Sequence, residues 1–323
     1  LATDWWLMAQ YTASPDRINP KNFVRNGKAV GVIKGASAVI AAEEAIHWLR
    51  KERDKSKPFF ITVWTHEPHL PIESAPEFMK PYANIDDEGI RQHHGNVTQL
   101  DHAFGLLMKE LDQQSLAEDT FVFFTSDNGP EGAGTKGRTR GSTGGLRGRK
   151  RWSHEGGIRV PGIARWPNHI KPGTTSSVPV IGSDLFSTIL AIVGADLPKD
   201  RVIDGVDMRP ALAGKPLERP VPLYWRNHVA PTDNHVALRI GEWKIVGDKA
   251  LEKFQLYKIE EDWKEEKDLA SKMPEKLAFM KTALLKVHDE VEREGPSEWW
   301  INEPPRKRGK RAARKTGKEL KAD

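Results

Sequence analysis

The chain has 323 residues, of which 38% are hydrophobic and 29% charged, which is typical of a globular protein with about two domains. It has no cysteine, which excludes a disulfide framework and a thiolate metal site, and no apolar run approaches the roughly eighteen residues that indicate a membrane span. The net charge of +5 comes from residues 304–323, where nine Lys/Arg and two acidic residues give +7 and leave −2 for residues 1–303.

Residues 1–35 are predicted to be irregular, because prolines and glycines are scattered through them. The start, LATDWWLMAQY, lacks the basic and apolar segments of a signal peptide, and we expect it to lie inside a longer open reading frame. Apolar residues at helical spacing then predict a helix over 36–50. The unalternating run PFFITVWTH, residues 58–66, predicts a strand that is buried on both faces.

The next elements alternate between helix and strand. Residues 94–111 predict an amphipathic helix whose apolar face consists of Val97, Leu100, Phe104, Leu107 and Leu111. Residues 120–126 predict a second fully apolar strand, and 158–166 a third. Between the last two lies a long loop, because residues 129–148 contain eight glycines in twenty positions.

A further helix is predicted after Ser183 or Asp184, with Phe186, Ile189, Leu190 and Val193 as its apolar face and Gly194 at its end. Helices that alternate with unalternating apolar strands indicate an α/β fold with a mostly parallel sheet. The sequence predicts that residues 1–216 form this domain.

The pattern changes near residues 214–216. The segments VPLYW, HVALRI, EWKIV and FQLYKI follow one another with short turns and predict a small antiparallel sheet. A helix over 274–292 follows, so residues 217–303 are predicted to form a C-terminal sheet-and-helix subdomain. The basic segment 304–323 is predicted to be a disordered, solvated tail, with nucleic acid or an anionic surface as alternative partners.

Polar side chains follow two of the predicted strands, at the sheet edge where α/β proteins bind ligands. The first strand leads into His66-Glu67-Pro68-His69 and the second into Asp127-Asn128-Gly129. The Asp127 carboxylate and the Asn128 amide oxygen are hard donors that suit Ca²⁺ or Mg²⁺. The alternative is a simple turn, because Asp, Asn and Gly are also the residues that turns prefer.

The glycine-rich loop carries a concentration of positive charge. Seven basic residues and no acidic one occur from Lys136 to Arg151. Such a loop beside a cation site could hold a tetrahedral anion such as sulfate or phosphate. A flexible solvated loop or a nucleic-acid patch are the alternatives, although only Trp152 lies near to stack on a base. His69, between two prolines, is a candidate for proton transfer or contact with an ester oxygen.

These segments occur in an order that resembles a known family. The matching segments are, in chain order, PFFITVWTHEPHLP, HHGNVTQLDHAFGLLMKELDQ, FVFFTSDNGP, LRGRKRWSHEGGIRVPGIARWP, SDLFSTILAIVGADLP, DGVDMRPALAG, ALRIGEWKIV and FQLYKI. Together they resemble the formylglycine-dependent sulfatases of the alkaline-phosphatase superfamily over roughly residues 20–290. The segment NPKNFVRNGKAVG resembles the group labelled N-acetylgalactosamine-6-sulfatase or arylsulfatase.

The resemblance implies roles for particular residues. Asp127 and Asn128 match two ligands of the family's Ca²⁺, Lys150 matches the lysine that binds the sulfate group, and His69 matches the histidine near the ester oxygen. Glu155 and its two following glycines match the turn that presents this lysine, and the often aromatic position before them is His154. We also assign substrate binding to His66 and Arg147.

Three family segments have no counterpart in this sequence: the C/S-x-P-S-R motif that yields the formylglycine nucleophile, an Asp-Asp pair that completes the Ca²⁺ shell, and G-K-W-H-L-G. The expected explanation is an N-terminally truncated sulfatase that has no turnover alone. Alternatives are a phosphodiesterase, phosphonate hydrolase or phosphatase of the same superfamily, or a non-catalytic binder of sulfated glycans.

The expected partner is a sulfated small molecule or glycan, without nucleic acid. Family resemblance implies a periplasmic, lysosomal or secreted protein, and the sequence leaves the particular substrate and the oligomeric state open.

Overall fold

The computed structural model describes residues 7–9, 17–135, 137–227, 229–230 and 234–294. The basic tail 304–323 lies outside these residues, so its prediction is not tested. The N-terminal region is more regular than we predicted, because β1 (Leu7–Ala9), β2 (Phe23–Arg25) and β3 (Lys28–Ala29) form an antiparallel sheet. Short strands of two or three residues carry too little alternation to be recognised in a sequence.

Two predicted helices are confirmed and pack together. Helix α1 (Ser37–His47) continues into a π-helical turn, Trp48–Glu52. The short helix α2 (Pro76–Met79) and a 3₁₀ turn at Lys80–Tyr82 follow. Helix α3 spans Glu88–Gln113, and Asp87 caps its N-terminus, because the Asp87 carboxylate accepts from the Ile90 N–H at 3.0 Å. Helices α1 and α3 meet through small buried side chains, Ala38, Ala42 and Ala103.

The buried face of α3 matches the predicted apolar face only in part: Leu111 is buried and Leu107 packs against α1, but polar side chains are buried as well. Gln92, Asn96 and Gln99 are buried, whereas Val97 is 43% exposed. These polar side chains bind the backbone of the preceding loop: the Gln92 amide oxygen accepts from Ser74 N–H at 2.9 Å and that of Gln99 from Ala75 N–H at 3.1 Å. Hydrophobic periodicity missed this face because it assigns burial to apolar residues only.

The predicted strand 120–126 is confirmed as β4 (Val122–Thr125), and 158–166 contains β5 (Gly162–Arg165). The two pair antiparallel, as do all the other paired strands in the described part of the chain, so the mostly parallel arrangement is not seen there. Residues 58–66 form no strand, contrary to the prediction, and Phe60 and Trp64 are 64% and 86% exposed. Burial on both faces was therefore wrong for this segment, because no described strand lies beside it.

Helix α4 (Glu155–Ile158) is a single turn before β5, and helix α5 (Asp184–Val193) confirms the third helix prediction. Gly194 ends α5 in the left-handed region, at φ +70°. The predicted apolar face is not the buried one, since Phe186 is 47% exposed. Asp184 is buried instead, because its carboxylate accepts from Arg219 at 2.8 Å.

The predicted C-terminal sheet and helix are confirmed. After helix α6 (Arg209–Leu212) come β6 (Leu223–Arg226), β7 (Val236–Ile240), β8 (Trp243–Gly247) and β9 (Phe254–Lys258), paired antiparallel in that order. Helix α7 (Pro274–Glu294) covers one face. The core between them contains Leu238, Ile245, Leu256, Met280 and Leu284. The domain boundary at 216/217 stays a prediction.

Candidate functional site

The turn after β4 and the turn around α4 pack backbone against backbone. Gly129 N–H donates to Gly157 O at 2.9 Å, and Lys150 N–H donates to Pro130 O at 3.1 Å. A Cβ at Gly129 would lie 1.9 Å from Gly156 O, so a larger residue would force the turns apart. This close approach holds the Lys150 backbone beside the Asp127–Asn128 segment.

Asp127 and Asn128 line a cavity of about 190 Å³ at the end of β4, together with Arg151, Trp152 and Asn227. The Asp127 residue is exposed and Asn128 is half-buried, so both oxygens can be reached by an ion. Hard oxygen donors of this kind fit Ca²⁺. Among the residues described, no group of three His, Cys, Asp or Glu side chains converges as a metal site. Asp127 and Asn128 therefore supply only two of the roughly six to eight oxygen ligands that Ca²⁺ takes.

The side chain of Glu131 brings three basic side chains together. Its Oε2 lies 3.0 Å from Lys150 Nζ and 3.6 Å from His69 Nε2, and its Oε1 lies 3.2 Å from Arg151. Partial burial acts to raise the pKa of Glu131, but the hydrogen bond from Lys150 and the charges of Lys150, Arg151 and His69 outweigh it and lower that pKa. The side chains of Lys150, Arg151 and His69 therefore form a candidate anion-binding site, which we call the anion seat.

Arg151 connects this anion seat with the cavity beside Asp127. Its backbone has a φ of +78°, a conformation that residues with a Cβ rarely adopt. Such strain persists where the surrounding structure fixes the residue, often at functional sites. The Arg151 side chain contacts Glu131, and the same residue lines the cavity.

The loop that carries His69 is held by two buried charged residues. The guanidinium of Arg17, which is 1% exposed, donates to the carbonyl oxygens of His69, Leu70 and Pro71 at 2.9–3.2 Å. The Glu67 carboxylate accepts from Ser37 Oγ at 2.6 Å and from Ala38 N–H at 3.0 Å at the start of α1. These contacts fix the loop from both sides.

The tautomer of His69 follows from its neighbour. Its Nδ1 lies 2.7 Å from Leu70 O, and a carbonyl can only accept, so Nδ1 carries a proton. The Nε2 atom consequently faces Glu131 and the anion seat. An imidazole held in this way can accept or donate a proton at Nε2.

Neither of the two residues assigned to substrate binding forms an ion pair with Glu131 in the described structure. His66 is half-buried, and burial and the nearby Arg17 charge lower its pKa. The Arg147 guanidinium donates to Tyr257 Oη at 2.7 Å and to Glu265 O at 3.1 Å, which ties the glycine-rich loop to the C-terminal sheet. Their substrate roles stay predictions.

A buried ion cluster, which the sequence analysis missed, fixes helix α4. Lys244 Nζ lies 2.8 Å from Glu155 Oε1 and 2.9 Å from Glu265 Oε1, and the Lys244 side chain is 0% exposed. Glu265 Oε2 also accepts from Glu155 N–H at 2.7 Å. Burial raises the pKa of Glu265, and the Lys244 charge only partly offsets this. The sequence feature that could have revealed this cluster is Lys244, a charged residue within the otherwise apolar segment EWKIV.

His154 precedes Glu155 of this cluster and is itself buried. It is 2% exposed, packs against the rings of Trp152 and Tyr257, and has Gln255 Oε1 3.2 Å from its Nε2. Burial, followed by the charges of Arg147 and Lys244, lowers the pKa of His154 to about 3. The ring is therefore neutral in the folded protein at neutral pH.

We predict that His154→Phe weakens the acid sensitivity of the fold. The folded pKa lies below the unfolded value of 6.5, so the stability linked to His154 is present above pH 6.5 and is lost as pH falls toward 3. Within that window the loss approaches about 1.4 kcal/mol per pH unit. Urea unfolding from pH 7 to 5 should show a shallower slope for His154→Phe than for wild type or the exposed-site control His102→Phe. Equal slopes would contradict the prediction.

The chain matches two family models. One, described as Sulfatase, covers residues 2–195, and one described as N-sulphoglucosamine sulphohydrolase, C-terminal, covers 148–290. Among curated proteins, the chain is 38% identical over 177 residues to steryl-sulfatase of Rattus norvegicus, covering 54% of this chain and 29% of that protein. It is 34% identical over 207 residues to N-acetylgalactosamine-6-sulfatase of Canis lupus familiaris, covering 62% and 36%. The chain thus spans about a third of the length of these relatives.

Solved structures show the same architecture. Ps i-CgsB matches with a TM-score of 0.71 and 28% identity over 80% of this chain and 56% of that one. A second protein, solved with its substrate D-glucosamine-2-N,6-O-disulfate, matches with a TM-score of 0.74 and 19% identity over 92% of this chain and 78% of that one, which supports the fold alone. The fold is the alkaline-phosphatase-like fold, which confirms the predicted α/β class, although the strand pairs in the described residues are antiparallel. The chain belongs to the sulfatase family.

Proposed function

We propose that this chain forms part of an enzyme that hydrolyses sulfate esters. The observation that carries the proposal is the convergence of Lys150, Arg151 and His69 on one carboxylate, next to the Asp127–Asn128 pair. A sulfate ester needs cationic donors for its oxygens and a group that can protonate the departing alcohol. Membership of the sulfatase family supports this chemistry over that of the related phosphate and phosphonate hydrolases.

Each residue then has a defined task. Lys150 and Arg151 would bind the charged sulfate oxygens, and Nε2 of His69 would donate a proton to, or orient, the ester oxygen. Asp127 and Asn128 would supply two oxygen ligands to a Ca²⁺ ion. When bound, Ca²⁺ supplies Lewis-acid polarisation, and a formylglycine side chain supplies the nucleophile of the family mechanism. The glycine contacts of Gly129, Gly156 and Gly157 would keep these groups in register.

The substrate class is a sulfated small molecule or glycan. One solved neighbour supports a glycan, since Ps i-CgsB is described in complex with k-i-k-neocarrahexaose. No described helix is long and apolar enough to cross a membrane. Export to a periplasmic, lysosomal or extracellular space stays a prediction.

The proposal is tested with the complete protein expressed from the reading frame that contains this chain. We expect it to hydrolyse 4-nitrophenyl sulfate faster than 4-nitrophenyl phosphate or bis(4-nitrophenyl) phosphate, and to lose activity when EDTA removes the metal. A preference for the phosphodiester would favour the alternative superfamily chemistry. Retention of sulfated glycans without any ester cleavage would favour the non-catalytic binder.

A further inference from the structure

The Glu131 carboxylate lies where the proposed function requires a sulfate group. All of its polar contacts in the described structure are with the basic groups of the anion seat, Lys150, Arg151 and His69. A carboxylate and a sulfate both need these donors and repel each other. They cannot occupy the anion seat together.

The Glu131 side chain can leave the seat while its backbone stays in place. Arg149 donates to Glu131 O at 3.3 Å, and Lys150 N–H holds the adjacent Pro130 O, so the main chain is fixed on both sides. The side chain is 20% exposed and has three rotatable bonds. Rotation toward solvent would free Lys150 and Arg151 without moving the glycine contacts that position them.

We propose that Glu131 is an internal competitor for the anion seat, which weakens the binding of inorganic sulfate, the reaction product. This inference rests on the proposed function. The competition weakens binding of ester and product by the same factor. An ester can offset that loss through contacts to its organic group, whereas inorganic sulfate cannot. Glu131 would therefore raise the dissociation constant of inorganic sulfate, while the preference for ester over sulfate stays set by the contacts to the organic group.

The test is the affinity of sodium sulfate for the chain, measured by titration calorimetry at fixed ionic strength. Glu131→Gln keeps the size of the side chain but removes its charge. We expect sulfate to bind about ten- to a hundredfold more tightly, because a charge-assisted hydrogen bond no longer has to be broken. Glu131→Ala should show the same direction. The matched control is Glu118→Gln, an exposed carboxylate before β4, which should leave sulfate affinity unchanged.

A second variant locates the effect. Lys150→Ala combined with Glu131→Gln should lose the gain in affinity, because Lys150 is the main contact of Glu131. Retention of the gain in that double variant would place the sulfate elsewhere and overturn the inference. Equal or weaker sulfate affinity of folded Glu131→Gln, or no sulfate binding by either protein, would also overturn it.

The inference and the proposed function can fail separately. If Glu131→Gln tightens sulfate binding but the complete protein hydrolyses no sulfate ester, the proposed function fails and internal competition stands. If the esters are hydrolysed but Glu131→Gln leaves both the sulfate affinity and product inhibition unchanged, the proposed function stands and internal competition fails.

Discussion

Replacing Lys150 by alanine is expected to lower kcat/KM for sulfate-ester hydrolysis by about 10²–10³-fold in the complete protein. Its side chain is 20% exposed and its ammonium contacts a carboxylate at 3.0 Å, so it binds anionic oxygen in a partly dehydrated position. Negative charge must be stabilised there while the sulfur–oxygen bond breaks. Steady-state kinetics with 4-nitrophenyl sulfate measure the effect, and both kcat and kcat/KM should fall.

Two comparisons make this result specific. Lys199→Ala removes an exposed lysine from a loop outside the anion seat and should leave the kinetics unchanged. Lys150→Arg keeps the charge but replaces a compact ammonium by a planar fork, so it should recover only part of the rate. Wild-type kcat/KM in Lys150→Ala, with its fold intact by circular dichroism, would remove Lys150 from the mechanism.

Local patterns predicted the parts of this site that depend on neighbouring residues in the chain. The apolar strand before Asp127 and the glycines beside Lys150 are visible in short windows, because strand composition and turn chemistry are local properties. The four C-terminal strands and helix α7 followed from the same kind of signal. The order of the motifs, more than any one of them, indicated the family.

Residues whose roles depend on distant partners were missed. Glu131 looks like a loop carboxylate until the segments of His69 and Lys150 meet on it. Glu67 lies between two predicted site residues, but its value as an anchor depends on the start of α1, 29–30 residues away. The buried polar face of α3 was missed for a related reason: Gln99 is buried because it binds a loop backbone, and periodicity carries no information about that partner.

Replacing Lys244 by methionine is expected to lower the free energy of unfolding by about 3–5 kcal/mol, the usual cost of leaving a buried charge without its partner. Methionine preserves most of the volume and apolar contacts of the lysine stem. It leaves two buried carboxylates, Glu155 and Glu265, facing each other, with only the more exposed Arg159, 3.6 Å from Glu155 Oε2, as a remaining cation. Burial already raises the pKa of Glu265 with Lys244 present, so this site penalises a second negative charge strongly.

Urea denaturation of wild type and Lys244→Met measures the loss, and adding Glu265→Gln should recover part of it because one of the stranded charges is removed. The control is Lys258→Met on the adjacent strand β9, where the ammonium contacts Glu242 and Glu261 at the surface and solvent can replace it. That variant should lose much less stability. Loss of stability in Lys244→Met should also shrink as the pH falls, since burial raises the pKa of Glu265 and its protonation removes one of the stranded charges. Because Glu155 begins the turn that holds Lys150, the folded fraction of Lys244→Met should show a lower affinity for sulfate than wild type. Unchanged affinity would mean that the buried cluster stabilises the fold without positioning the site.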